Sequence, residues 1–267
     1  MRSEDRAHLG SLDSVRRRVL FVSAALLGIG FVTFFVAAGF HPHEIDPNDH
    51  PTSFTQYAQS SGWAADHFLF FVSAVIMLAG VVALFEALNL NGGITGLTVR
   101  LGIAAAGVAV ALSAMRYAVD GVVLKRAVDA WASAPDADKM ARFVAAEVAR
   151  WLEEATASYQ SFAIGLTLLL VAALIVWTGR VPRAIGVLSA LAAAGYFVLG
   201  WIVGAAGFAP QGAIPANVTE FYPLVTGAYI AIAAWRLPAR PAAVADTAGS
   251  DQDAADSAKA GSSRAHV

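Results

Sequence analysis

The 267-residue chain contains no cysteine. That excludes disulfides, thiolate metal sites, iron–sulfur clusters and covalent haem attachment through Cys-x-x-Cys-His, and leaves His, Asp and Glu as the strong metal ligands. Charge is scarce too. Lys, Arg, Asp and Glu make up 14% of the residues, against ~25% in a soluble domain. The net charge of −2 gives no reason to expect nucleic acid or another polyanion as partner. Neither a Walker loop, a dinucleotide fingerprint nor His-Glu-x-x-His occurs. The middles of three apolar stretches, 19–40, 68–88 and 184–208, hold no His, Lys, Arg, Asp or Glu. A two-haem membrane cytochrome needs histidine pairs there, and a proton or ion relay needs mid-membrane carboxylates. Only Glu86, near one end of its stretch, comes close.

What the chain does contain is apolar sequence: 57% hydrophobic residues with mean hydropathy +0.60. Six stretches, 19–40, 68–88, 101–123, 162–177, 184–208 and 221–235, approach or exceed the ~20 helical residues that cross ~30 Å of hydrocarbon. The expected fold is all-α: a polytopic membrane protein, a six-transmembrane-helix bundle with spans at about 17–40, 65–88, 98–123, 155–178, 183–207 and 218–237. Residues 1–15 are expected to form an N-terminal cytoplasmic segment, 16–238 the membrane domain, and 239–267 a disordered cytoplasmic tail of Ala, Asp, Ser and Gly that has too little apolar surface to fold. Arg16, Arg17 and Arg18 before the first stretch resemble a signal-peptide n-region. The apolar run is longer than the 7–15 residues of an h-region, which predicts a retained anchor.

Arginine and lysine set the expected orientation. They occur at Arg2, Arg6 and Arg16 to Arg18, at Arg100, at Arg180 and Arg183, and at Arg236 and Arg240, whereas 41–66 and 209–220 contain none. This alternation predicts both termini in the cytoplasm of a multi-pass inner (plasma) membrane protein, whose main partner is the lipid bilayer. Thr95-Gly96 with Arg100 and Thr178-Gly179 with Arg183 read either as a duplication of helix pairs or as the usual mixture of inner turns.

Between spans three and four an extended helical hairpin is expected. Apolar residues keep helical spacing up to Ala132 and again from Ala137, around Ser133-Ala134-Pro135-Asp136. Folding the chain there sets Arg116 opposite Glu153 and Glu154, Asp120 opposite Arg150, Lys125 and Arg126 near Glu147, and Asp129 near Arg142 and Lys139. Every rung joins opposite signs. Exposed pairs contribute only ~0–1 kcal/mol, but near hydrocarbon an unpaired charge costs ~3 kcal/mol.

The first connection, His41-Pro42-His43-Glu44-Ile45-Asp46-Pro47-Asn48-Asp49-His50-Pro51, is dense in imidazole and carboxylate. Such ligands suit Zn, Mn or Ni where thiolates are absent. His41, His43 and His50 are therefore candidate ligands of a divalent metal. Equally, the segment is a structural loop over the bundle mouth, or a wall of a ligand pocket. Glu147, Arg150, Glu154, Ser158 and Ser161 share one face of span four, as Arg116 and Asp120 do on span three. The two faces form either a polar pocket or a hydrogen-bonded seam. The pocket candidates are His41, His43, His67, Arg116, Asp120, Glu147, Arg150 and Glu154. Gly200-x-x-x-Gly204 predicts close helix packing, and Asn217 with Glu220 a capping box at the start of span six.

His41-Pro42, Asp46-Pro47-Asn48-Asp49, Trp63, His67, Asp120-Gly121-Val122, Lys125, Asp129-Ala130-Trp131-Ala132, Ala146-Glu147 and Arg150-Trp151-Leu152-Glu153 together resemble a group of uncharacterised multi-spanning membrane proteins of high-GC bacteria. The resemblance covers most of 15–237. It implies this topology and carries no activity with it. The functional expectation is an integral membrane protein whose outward-facing polar cap binds a small ligand, a lipid headgroup or a metal. Its rivals are a membrane-embedded metal-dependent or acid–base enzyme and a small-solute transporter.

Overall fold

A computed structural model of the protein describes residues 3–42, 46–89 and 92–236. The expected ligand His43 and the expected tail at 239–267 lie outside them. The chain divides into residues 16–236, which hold the site and the cavity described below, and the flanking segments 1–15 and 237–267. Every regular element among the described residues is helical.

Helix α1 spans Ser3–Ala38, and α2, His50–Gln59, lies in the first connection. Helix α3 spans Trp63–Leu88 and α4 Gly93–Ala118; a π-helical stretch, Val119–Leu124, then leads into α5, Lys125–Ala132. Helix α6 runs Asp136–Thr178, α7 Arg183–Ala206, and a 3-10 turn at Pro210–Gly212 opens α8, Ala213–Arg236. Five helical segments are long and apolar enough to cross a membrane: Val15–Ala38, Trp63–Leu88, Gly93–Ala132, Asp136–Thr178 and Arg183–Ala206. The sixth expected span falls within α8, which is not one of these five.

Local sequence explains the breaks. Pro135 precedes α6, and Gly179 ends it with φ 58°, the left-handed value that glycine adopts without a Cβ clash. Asp49 caps α2, accepting the Thr52 hydroxyl at 2.7 Å, and Pro51 stands in its first turn, where no backbone donor is needed. Helix α8 starts four residues before Asn217. Asn217 therefore lies inside the helix, and the expected capping box does not form. Pro210 begins the turn that carries the chain into α8, with Pro215 in its first turn, and both fix φ at helical values.

The helices meet through small residues. The Ser23 hydroxyl on α1 donates to Gly80 O on α3 at 2.8 Å, and a Cβ added to Gly80 would lie 3.1 Å from Ser23 O. On α6, Ser158 donates to Gly200 O of α7 at 2.7 Å, and the Gly204 position lies 2.8 Å from the Ser158 hydroxyl. The Gly200-x-x-x-Gly204 stripe thus faces α6. Val22, Ile29, Val108, Leu166, Val198 and Trp201 point outward and are exposed, as lipid-facing side chains are. Where α1 ends and α3 begins, α2 rests on a different kind of core. Phe54, Tyr57, Trp63, Leu124 and Val128 pack there against Ala146 and Ala149.

Candidate functional site

Beneath that aromatic core lies a buried polar cluster. His67, one turn into α3, places Nε2 2.8 Å from Asp120 Oδ2 and Nδ1 2.7 Å from Trp63 O. A carbonyl can only accept, so Nδ1 carries a hydrogen. The Nε2 contact then needs one more proton, on the ring or on the carboxyl, and both ring nitrogens are occupied. Asp120 sits in the π-helical stretch, where the widened turn redirects the backbone; its carbonyl accepts the Trp63 indole N–H at 2.9 Å. The next residue has to be small. A Cβ on Gly121 would lie 2.7 Å from His67 Cβ.

Across from this pair, α6 supplies Arg150 and Glu153. Arg150 Nη1 donates to Glu153 Oε2 at 2.8 Å, and its Nε is 3.7 Å from Glu154 Oε1. Arg116 Nε lies 3.9 Å from Glu153 Oε1, and its Nη1 donates to Gln160 Oε1 at 3.2 Å. Gln160 Nε2 passes the chain on to the Ser113 hydroxyl at 2.7 Å. Phe208, after α7, lies between the two guanidinium groups, 4.7 Å from Arg150 and 5.5 Å from Arg116. Asp120 remains within Coulombic reach of both arginines.

The expected rung between Arg116 and Glu153 forms, and the others are redistributed. Asp120 pairs with His67, while Arg150 takes Glu153 and Glu154. Lys125 reaches Asp129 at 2.6 Å, one turn along its own helix, which is closer than any partner across the hairpin. Glu147 binds His50 Nδ1 at 3.1 Å, because α2 lies over it. Lys139 Nζ donates to Ala132 O at 2.9 Å and covers the Trp131 ring instead of meeting Asp129. Glu154 lies 2.8 Å from where a Cβ of Gly207 would stand, beside Asn48.

The first-connection histidines are held separately. His41 packs its ring 5.1 Å from Trp63 and 5.3 Å from His67, whereas His50 stacks on Phe54 at 5.3 Å. Among the described residues no group of three His, Asp or Glu side chains could hold a metal ion. The residues that sequence reasoning passed over are Gln160, Ser113, Tyr117, Phe208 and, through the mistaken capping box, Glu220; Glu153 is expected opposite Arg116 but not beside Arg150. Glu153 lies three residues from Arg150 and Gln160 seven from Glu153, so helical periodicity could have found both.

Below the cluster opens a cavity of about 460 Å³, within the ~300–1,000 Å³ of small-molecule sites. At one end stand His41, His67, Arg116, Asp120, Gln160 and Glu220; further along α1, α3 and α6 the walls become Leu27, Met77, Val81, Ile164 and Leu168. From His67 to Val81 along α3 is ~21 Å at 1.5 Å per residue. No protein-family model, curated protein or solved structure matches the chain.

Proposed function

We propose that the protein is an integral membrane protein that binds a single-chain amphiphile, its polar head in the buried cluster and its chain in the apolar shaft. The observation that carries this reading is the cavity's graded wall, polar at the His67–Asp120 end and aliphatic at Leu27, Met77, Val81 and Leu168. A pocket for a wholly polar solute would not need ~21 Å of hydrocarbon lining. The acid–base enzyme reading gains less support, since His67 has both ring nitrogens engaged.

The same proposal includes the topology. Six spans, with α8 as the last, put both termini in the cytoplasm and the polar end outward. The α4–α5 and α6 segments then extend past the outer interface as a helical hairpin capped by α2. Its support is the arginine asymmetry of the connections. It also fits Arg16 Nη2 donating to Arg180 O while Arg180 donates to Asn89 O at 3.0 Å. These contacts gather arginines and loops at the end opposite the cavity's polar head.

Radiolabelled decanol is the direct test of the amphiphile. It should bind saturably, about one molecule per protein, to the chain in phosphatidylcholine nanodiscs, above the level in empty nanodiscs. Ala74→Trp, which fills the shaft, should lower that binding at least tenfold while the melting transition persists. Equal uptake by loaded and empty nanodiscs would sink the reading.

A further inference from the structure

The polar end of the cavity does not balance its charges. Asp120 spends Oδ2 on His67, while its Oδ1 is buried with no hydrogen-bond partner. The residue is only 5% exposed and lines the cavity. Glu220 lines it too, and no described donor or cation acts on its carboxyl. The α8 start at Ala213 takes away the capping role its sequence offered.

The cations nearby are already committed. Arg116 divides itself between Glu153 and Gln160, with its planar face against Tyr117 at 5.2 Å. Arg150 is matched by Glu153 and Glu154. Arg116 Nε and Arg150 Nε also lack hydrogen bonds, but they face the carboxylates of Glu153 and Glu154 at 3.9 and 3.7 Å; the acceptors left for a ligand are Asp120 Oδ1 and the carboxyl of Glu220. Aromatic rings from Phe34, Phe70, Tyr117 and Phe208 complete the wall. Carboxylate acceptors beside aromatic faces are the chemistry that holds an ammonium group. In a low-dielectric wall a lone carboxylate is costly, and a ligand cation removes that cost.

We infer that the amphiphile taken by this cavity carries a primary ammonium head, which donates to Asp120 Oδ1 and Glu220. The inference rests on the amphiphile reading and narrows it to one class of headgroup.

The test compares three radiolabelled ten-carbon chains, decylammonium, decanol and decanoate, on the protein in phosphatidylcholine nanodiscs at pH 7, with empty nanodiscs subtracted. Decylammonium should bind at least tenfold more tightly than decanoate. Glu220→Gln should lower decylammonium affinity about tenfold and lower decanol affinity by much less, so that the ranking of the two narrows or inverts. Glu86→Gln, an exposed carboxylate away from the cavity, should change neither. Decanoate binding as tightly as decylammonium, or an unchanged ranking in a folded Glu220→Gln protein, would overturn the ammonium inference while decanol binding still upheld the amphiphile reading. If none of the three chains binds, both fall. The wild-type ranking decides by itself should Glu220→Gln not fold.

Discussion

The core under α2 and the α6–α7 interface are both buried, yet they are built from opposite residues. The first is made of large rings: Phe54, Tyr57 and Trp63 are at most 1% exposed. The second is made of Ser158, Gly200 and Gly204, with backbones close enough for a hydroxyl to reach a carbonyl across the gap. On the proposed topology the difference follows from the solvent each region excludes. Where water is displaced, burying aromatic area contributes most. Where lipid is displaced, apolar area gains little, and close approach with short hydrogen bonds takes over. The polar cluster sits at the junction of the two. It uses aromatic faces from one regime and buried ion pairs from the other.

The strongest way to break the aromatic half is Trp63→Ala. It removes a buried indole and leaves Asp120 O without its donor, so about 3–5 kcal/mol of stability should go. Calorimetry in detergent measures the loss, and a shift below 1 kcal/mol would mean that this region is not a packed core. The junction is tested next. Arg150→Met strands Glu153 and should cost about 3 kcal/mol, whereas Arg150→Met with Glu153→Met should cost clearly less, because no charge is then left buried alone. Additive losses in that cycle would remove the pair from the account.

The small-residue half should be sensitive to a single methyl. A Cβ at Gly200 would stand 3.0 Å from the Ser158 backbone oxygen. Gly200→Ala should therefore cost about 1–3 kcal/mol by overpacking, and a neutral result would show that α6 and α7 are looser than drawn. The smallest expected effect is that of Lys125→Ala. It breaks a half-exposed pair within one helix and a hydrogen bond to Ala58 O at 3.2 Å, together worth about 0.5–1 kcal/mol. A loss above 1 kcal/mol would say that the cap depends on its surface charges as well as its rings.

Much of this was legible in the residues, and for physical reasons. A helix crossing lipid needs long apolar runs, and those were plain. Arg116, Asp120 and Arg150 stood out because charges near hydrocarbon require partners. Their pairing was harder to read. Glu153 and Glu154 both lie within one turn of Arg150, and helical spacing alone cannot choose between neighbours. Helix α2 resembles a loop in the sequence because only Phe54, Tyr57 and Ala58 carry its apolar face, although Asp49 and Pro51 mark its start. Glu220 was misjudged because Asn217 looked like a cap, while the prolines before it begin the helix sooner. The π-helical stretch left no trace in the sequence pattern beyond Gly121, a residue with several ordinary explanations.

That stretch works as a phase adjuster. A wide turn inserts one residue into an otherwise regular helix, and one residue is about 100° of rotation. Deleting a single position between Val119 and Leu124 would leave α4 where it is and swing the whole of α5 by about that angle. Val128 would then leave the aromatic core, while Ser113 and Arg116 kept their places. The two halves of the molecule are therefore geared to each other by one extra amino acid. Natural variants that gain or lose a residue here should re-aim the cap as a unit and shift Asp120 with it, while the cavity walls on α3 and α6 keep their places.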